Sequence, residues 1–152
     1  MSTDQIEEML IREELTIAPL WKRLVAHCMD VLLISMLVTG ILWQSILQNI
    51  GDKAVLIGIF SDYMPKIFLL IILYQWIFIH LFGATIGKMV VRIRVVDIYY
   101  LDNPSWFLSF VRVILREIAI YLLYVPFIFM ISNQFYRGLH DEISKTIVIE
   151  LH

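Results

Sequence analysis

Polar positions in this chain are gathered into a few short stretches, and the apolar segments between them are longer than a soluble helix or strand needs. Residues 31–51 contain no Asp, Glu, Lys or Arg, and extending the run back to Leu24 adds His27 and Asp30 as its strongly polar side chains. A helix rising 1.5 Å per residue crosses a hydrocarbon core of about 30 Å in roughly 20 residues, so this run predicts a first transmembrane span. Residues 52–66, with Asp62 and the breaker Pro65, predict a short connector, and the uncharged run 67–87 predicts a second span. A third uncharged run, 118–136, is interrupted by Pro126 and preceded by a charged but otherwise apolar stretch, 106–117. That region either crosses the bilayer or lies in the interface, bends at Pro126 and re-enters.

Outside these runs the period changes. Ile6, Leu10 and Ile17 recur at near-helical spacing among Asp4, Glu7, Glu8, Glu13 and Glu14. This predicts an acidic amphipathic arm over residues 1–19, followed by a membrane domain over 20–152. The arm is expected at the bilayer interface, on a partner, or as a solvated tail. Its acidity is the opposite of a signal-peptide n-region, so the N-terminus is expected to be retained. Residues 88–97 (KMVVRIRVVD) alternate and are rich in β-branched side chains, which predicts a strand with Arg92 and Arg94 on one face. Residues 146–150 predict a second strand, and pairing the two makes a small ribbon outside the lipid, where strand edges are tolerated. Residues 101–105 read as a turn, with Asn103 capping a helix that begins at Pro104. The predicted fold class is therefore an all-α membrane protein with two transmembrane helices, a third Pro-bent or re-entrant hydrophobic region and a small cytoplasmic β ribbon.

Composition supports lipid as the solvent. Of 152 residues, 60% are hydrophobic and only 17% charged, against about 25% charged in ordinary soluble domains. The mean hydropathy is +0.79. A net charge of −2 argues against nucleic acid as a partner. A single Cys excludes an internal disulfide framework and a multi-thiolate metal site. Arg12, Lys22, Arg23, Lys88, Arg92 and Arg94 flank one side of the predicted spans, and Lys53 and Lys66 the other, which places the N-terminus and middle loop in the cytoplasm of a multi-pass protein.

The charges inside the apolar runs carry the candidate chemistry. Arg23, Ala26, His27 and Asp30 share one helix face, with Asp30 about 10 Å deeper than Arg23. Insertion scales assign a charge at the centre of a span roughly 2.5–3.5 kcal/mol, so Asp30 needs a partner, water or a proton. Ser109, Arg112 and Arg116 form a polar stripe on the third region, and pairing of Asp30 with Arg112 or Arg116 is the expected result. Such a site serves helix locking, an ion or proton site, or contact with another membrane protein. Gly83 and Gly87 suit a backbone turn at the membrane exit or close helix approach. The motif GATIGK lacks the spacing of a phosphate-binding loop, so no nucleotide is expected. Gly138 is placed as a helix C-cap, and Asp141 either caps the next turn or pairs with Lys88, Arg92 or Arg94. No Ser/His/Asp or Cys/His constellation is visible, and neither an enzyme, a metal nor another cofactor is expected.

Together, Arg23-Leu-Val-Ala-His-Cys-Met-Asp30, Gly83-Ala-Thr-Ile-Gly-Lys88 with Arg94-Val-Val-Asp97, and Gly138-Leu-His-Asp141 with Thr146-Ile-Val148 resemble the signature of the RDD family of bacterial membrane proteins. The resemblance runs from about residue 20 to the C-terminus. It implies that Arg23, Asp30 and Asp141 are the signature positions, with Asp97 a second candidate for the later aspartate. It also implies a bacterial inner membrane location and, as for some members, exchange of sodium or lithium for protons. Family members carry extra basic residues before the His-Asp pair, where this chain has Arg137, and small residues where it has Ser144 and Lys145. Two functions are therefore expected: a cation/proton exchanger acting as a homo-oligomer through a protonatable Asp30, or a non-transporting membrane subunit whose acidic arm or ribbon binds a partner protein.

Overall fold

The computed structural model describes residues 3–121 and 139–151. Two long helices dominate it, α2 (Leu20–Gln48) and α3 (Lys53–Phe82), preceded by α1 (Thr3–Arg12) and strand β1 (Thr16–Ile17). The turn between α2 and α3 is tight. Asp52 Oδ1 accepts from the amides of Ala54 at 3.0 Å and Val55 at 3.3 Å, a side-chain N-cap that starts α3 at once. The expected connector over 52–66 is therefore the first part of α3, and Pro65 lies inside that helix. One hydrogen bond forfeited at proline disturbs lipid-facing backbone less than an open loop would.

At the other end α3 stops before residue 87, because Gly83 adopts φ +69° and its amide donates to Ile79 O at 2.9 Å. Glycine reaches this left-handed C-terminal geometry without a Cβ penalty. The predicted strand over 88–97 is shorter than expected. A five-residue helix, α4 (Ile86–Val90), takes its first part, and β2 runs over Ile93–Asp97. Arg92 sits in the turn between them at φ +56°, so it does not share a strand face with Arg94. Packing of α4 on α2 overrides the local strand preference of Val90 and Val91.

The ribbon forms and gains a strand. β3 (Thr146–Glu150) pairs antiparallel with β2, from Ile93 opposite Glu150 to Asp97 opposite Thr146, and β1 adds to its other edge, in the order β1-β3-β2. Both faces are covered. Val96, Ile98, Ile147 and Ile149 pack against Ile6, Met9 and Leu10 of α1, while Ile93, Val95 and Val148 pack against Ala18 and Ala26 at the start of α2. The apolar face of the acidic arm is thus spent on the chain's own sheet rather than on lipid, a partner or water, and Ile17 belongs to β1 rather than to the helix. The nearest apolar surface of sufficient size is the one the chain itself provides.

In the sequence the third hydrophobic region lies between β2 and β3, which pair in one sheet. Its described part is α5 (Trp106–Tyr121). Ser105, not Asn103, stands at the start of α5, its Oγ accepting from Leu108 N at 3.4 Å. Asn103 instead accepts from Arg94 and donates to Leu81 O at 2.8 Å, serving the end of α3. The expected bend at Pro126 and cap at Gly138 lie outside the described residues. A short helix, α6 (Leu139–Ile143), precedes β3.

The most apolar windows of α2 and α3 have mean hydropathies of 2.0 and 1.9, with only 11% and 6% of their residues buried within the chain. Such faces require lipid. α5 has the inverse arrangement: Ser109, Arg112 and Arg116 are buried, whereas Trp106, Phe107, Phe110 and Ile118 face outward. It packs on α3 through Ile72, Ile79 and Val113. Polar ties fix the register, with Trp76 Nε1 donating to Trp106 O at 2.9 Å and His80 Nδ1 to Pro104 O at 3.3 Å.

Candidate functional site: two buried carboxylates with different partners

The inward polar face of α5 meets α2, α3, α4 and α6 in a buried cluster. Asp141, on α6 and 1% exposed, is held by Arg112, whose Nε donates at 2.9 Å and whose Nη2 also donates to the same oxygen. Arg23 Nη1 lies 3.7 Å from the other carboxylate oxygen. Arg112 Nε also reaches Thr146 Oγ1 at 3.1 Å, and Arg23 Nε donates to Ala18 O at 3.1 Å. Asp141 thereby joins α2, α5, α6 and the first residue of β3. Its ion-pair partners include Arg112 of α5 and Arg23 of α2, where a local cap or Lys88, Arg92 or Arg94 was expected.

Asp30 has a different environment. It is 5% exposed, and its carboxylate accepts from Tyr74 Oη at 2.7 Å, Thr85 Oγ1 at 2.6 Å and Gly87 N at 2.8 Å. Tyr74 Oη in turn accepts from Ile86 N at 3.0 Å, so its own proton points at Asp30. Among the described residues no Lys, Arg or His nitrogen lies within ion-pair distance of Asp30. The expected pairing with Arg112 or Arg116 does not form, since Arg112 is committed to Asp141 and Arg116 is drawn elsewhere. Arg116 donates to Gln75 Oε1 and, at 2.8 Å, to His27 Nδ1, which must be the acceptor because a guanidinium has no lone pair to offer. Gln75 Nε2 completes this branch by donating to Glu117 Oε1 at 2.8 Å.

Gly83 turns the chain at the end of α3. Gly87 permits close approach, since a Cβ there would collide with the carbonyl oxygen of Ala26 and sit 2.9 Å from Asp30 Oδ1. Asp97, the other candidate for the later aspartate, accepts from Tyr99 N at 2.7 Å in a local turn, so Asp141 is the one that joins the cluster.

Three side chains were not singled out as site residues by sequence reasoning, Tyr74, Gln75 and Thr85, and Lys88 entered it as a possible partner of Asp141 rather than as a neighbour of Asp30. Thr85 and Lys88 lie in the GATIGK stretch, where their spacing from Gly87 was the available signal; Tyr74 and Gln75 sit in an apolar run and had none. Lys88 is 8% exposed, and among the described residues its amine has neither a hydrogen bond nor an ion pair. Burial and the nearby guanidinium groups of Arg112 and Arg116 hold its ammonium well below the usual lysine range, against the opposing pull of Asp141 and Asp30. Arg112 Nη1 is a fully buried nitrogen without a hydrogen-bond partner.

Compared with known proteins, residues 17–145 match the model of the RDD family, a stretch that holds every member of this cluster except Thr146. No curated protein and no solved structure matches the chain.

Proposed function

The chain belongs to the RDD family and is an integral membrane protein, and from that premise we propose that it exchanges a monovalent cation, sodium or lithium, bound at Asp30, for a proton. The observation that carries this reading is the shell of neutral donors around Asp30. An arginine in direct contact would hold the carboxylate permanently compensated and oppose a cycle of binding and release. Neutral hydroxyl and amide donors orient the carboxylate and leave its charge to be balanced by a mobile cation. Asp141, by contrast, is locked by two arginines and serves the fold.

For the alternative of a non-transporting subunit, docking through the arm or the ribbon, the arm's Ile6, Met9 and Leu10 are already buried on the sheet. The bias of basic residues toward the sheet side supports a cytoplasmic sheet in a multi-pass protein of the bacterial inner membrane. Two lipid-facing helices and α5 do not enclose a polar path by themselves, which supports an oligomer with the path shared between protomers.

The test is flux in proteoliposomes holding a pH-sensitive dye. The wild-type protein is expected to move protons when sodium or lithium is added outside, and Asp30→Asn to lose at least about tenfold of that rate, since the amide has no charge for a cation to balance. Equal rates for the two proteins, or no cation-driven proton movement by the wild type, would refute exchange at Asp30.

A further inference from the structure

Resting on the exchange reading above, we propose that the proton is carried by Lys88 rather than by Asp30: the Lys88 ammonium gives up its proton as a cation occupies the Asp30 carboxylate, and the amine regains it when the cation leaves. Lys88 and Asp30 are held together by one short element. Gly87, the residue before Lys88, donates its amide to Asp30 Oδ1, and α4 lies directly on α2 because Gly87 has no side chain. Every group around Asp30 presents a donor to it: the Tyr74 hydroxyl, the Thr85 hydroxyl and the Gly87 amide. The Gly87 amide can only donate and the Tyr74 hydroxyl already accepts from Ile86 N, so a proton on Asp30 would have to turn the Thr85 hydroxyl from donor to acceptor.

The groups facing Lys88 set the charge balance. They are Asp30 from α2, Arg112 and Arg116 from α5, and Asp141 from α6, with His27 of α2 taken up as an acceptor by Arg116. Arg23 stands beside Asp141, Glu117 is bridged to Arg116 by Gln75, and Tyr74 from α3 is neutral. Arg94 of β2 is turned away to Asn103. Among the described residues, with Lys88 protonated, the cations Arg23, Lys88, Arg112 and Arg116 outnumber the carboxylates Asp30, Glu117 and Asp141 by one. A buried cluster resists a second uncompensated charge, so a proton on Lys88 and a cation at Asp30 exclude each other. Arginine does not release its proton at physiological pH, which leaves Lys88 as the cation able to yield. Its depressed ammonium range agrees with this role. The exchange balances: one cation enters, one proton leaves to water, and the cluster keeps its net charge.

Full-length protein in lipid nanodiscs, titrated with sodium chloride or lithium chloride in weak buffer, provides the test, with heat and released protons recorded together. The wild type is expected to release one proton per cation, and its apparent affinity to weaken about tenfold per pH unit below the midpoint of the amine. Lys88→Met should still bind the cation, without proton release and with an affinity independent of pH. Lys88→Arg, which keeps the charge permanently, should bind at least about tenfold more weakly at every pH. One-for-one proton release surviving in Lys88→Met, or wild-type binding by Lys88→Arg, would overturn the assignment to Lys88 while leaving exchange at Asp30 intact. If Lys88→Met does not fold, Lys88→Arg against the wild type decides. Absence of cation binding by the wild type would overturn both readings.

Discussion

Asp141→Ala is expected to destabilise the folded domain by about 3–5 kcal/mol, the usual cost of leaving a buried charge without its counterion. Arg112 is 2% exposed and pairs with Asp141 through two nitrogens, and its third, Nη1, already lacks a hydrogen-bond partner. Removing the carboxylate leaves that guanidinium buried and unbalanced, and loosens Arg23 from the same site. The α2–α3 hairpin, held by lipid, should persist, and the loss should appear as undocking of α6 and the sheet from α5. Thermal unfolding in detergent micelles, followed by the fluorescence of Trp76 and Trp106 at the α3–α5 contact, measures it. A charge-free replacement of both partners, Arg112→Met with Asp141→Leu, should recover most of the stability, because well-packed apolar groups often substitute for a buried pair at little cost. A single Asp141→Ala that melts with the wild type would show that the pair does not support the fold.

Gly87→Ala is the second large effect. The added methyl meets the Ala26 backbone oxygen, which cannot rotate away as a side chain can, so α4 has to move off α2. Overpacking of this kind costs about 1–3 kcal/mol. The displacement also draws the Gly87 amide, and with it Thr85, away from Asp30, so cation-driven proton flux should fall toward the level of Asp30→Asn. Gly58→Ala supplies the comparison, since nothing lies within 4 Å of the equivalent methyl there. Its stability and flux should match or slightly exceed those of the wild type, because alanine is the better helix former. Wild-type flux in Gly87→Ala would mean that the amide of residue 87 is not part of the working site.

Both effects depend on contacts that are unevenly legible in the sequence. The shared helix face of Arg23, Ala26, His27 and Asp30 follows from spacing alone, and it is found. Gly83 and Gly87 are likewise legible as a turn and a close approach, because glycine at such positions has few other uses. The partner of each charge is not legible. Arg112 and Arg116 are four residues apart on one face, and which of them meets α6, α2 or α3 depends on how far α5 has slid along α3. The contacts of Trp76 and His80 with the start of α5 set that register. The strand over 88–97 misled for a related reason: β-branched residues favour a strand locally, yet Lys88 to Val90 coil as α4 because α2 offers a surface that only a helix with glycine at 87 can approach. Pro65 misled because its meaning depends on the solvent; in water it ends a helix, and in lipid the helix continues through it.

By itself the sequence determined the lipid environment, the two spanning helices, the presence of two pairing strands and the need of Asp30 for company, because transfer free energies and local periodicity act residue by residue. Only the tertiary structure decided that Asp30 is met by hydroxyl and amide donors, that Asp141 takes Arg112 and Arg23, that the acidic arm covers the sheet and that Lys88 is buried with no ion pair among the described residues. Those outcomes are set by the relative placement of separate elements, where a shift of one helical turn exchanges one partner for another.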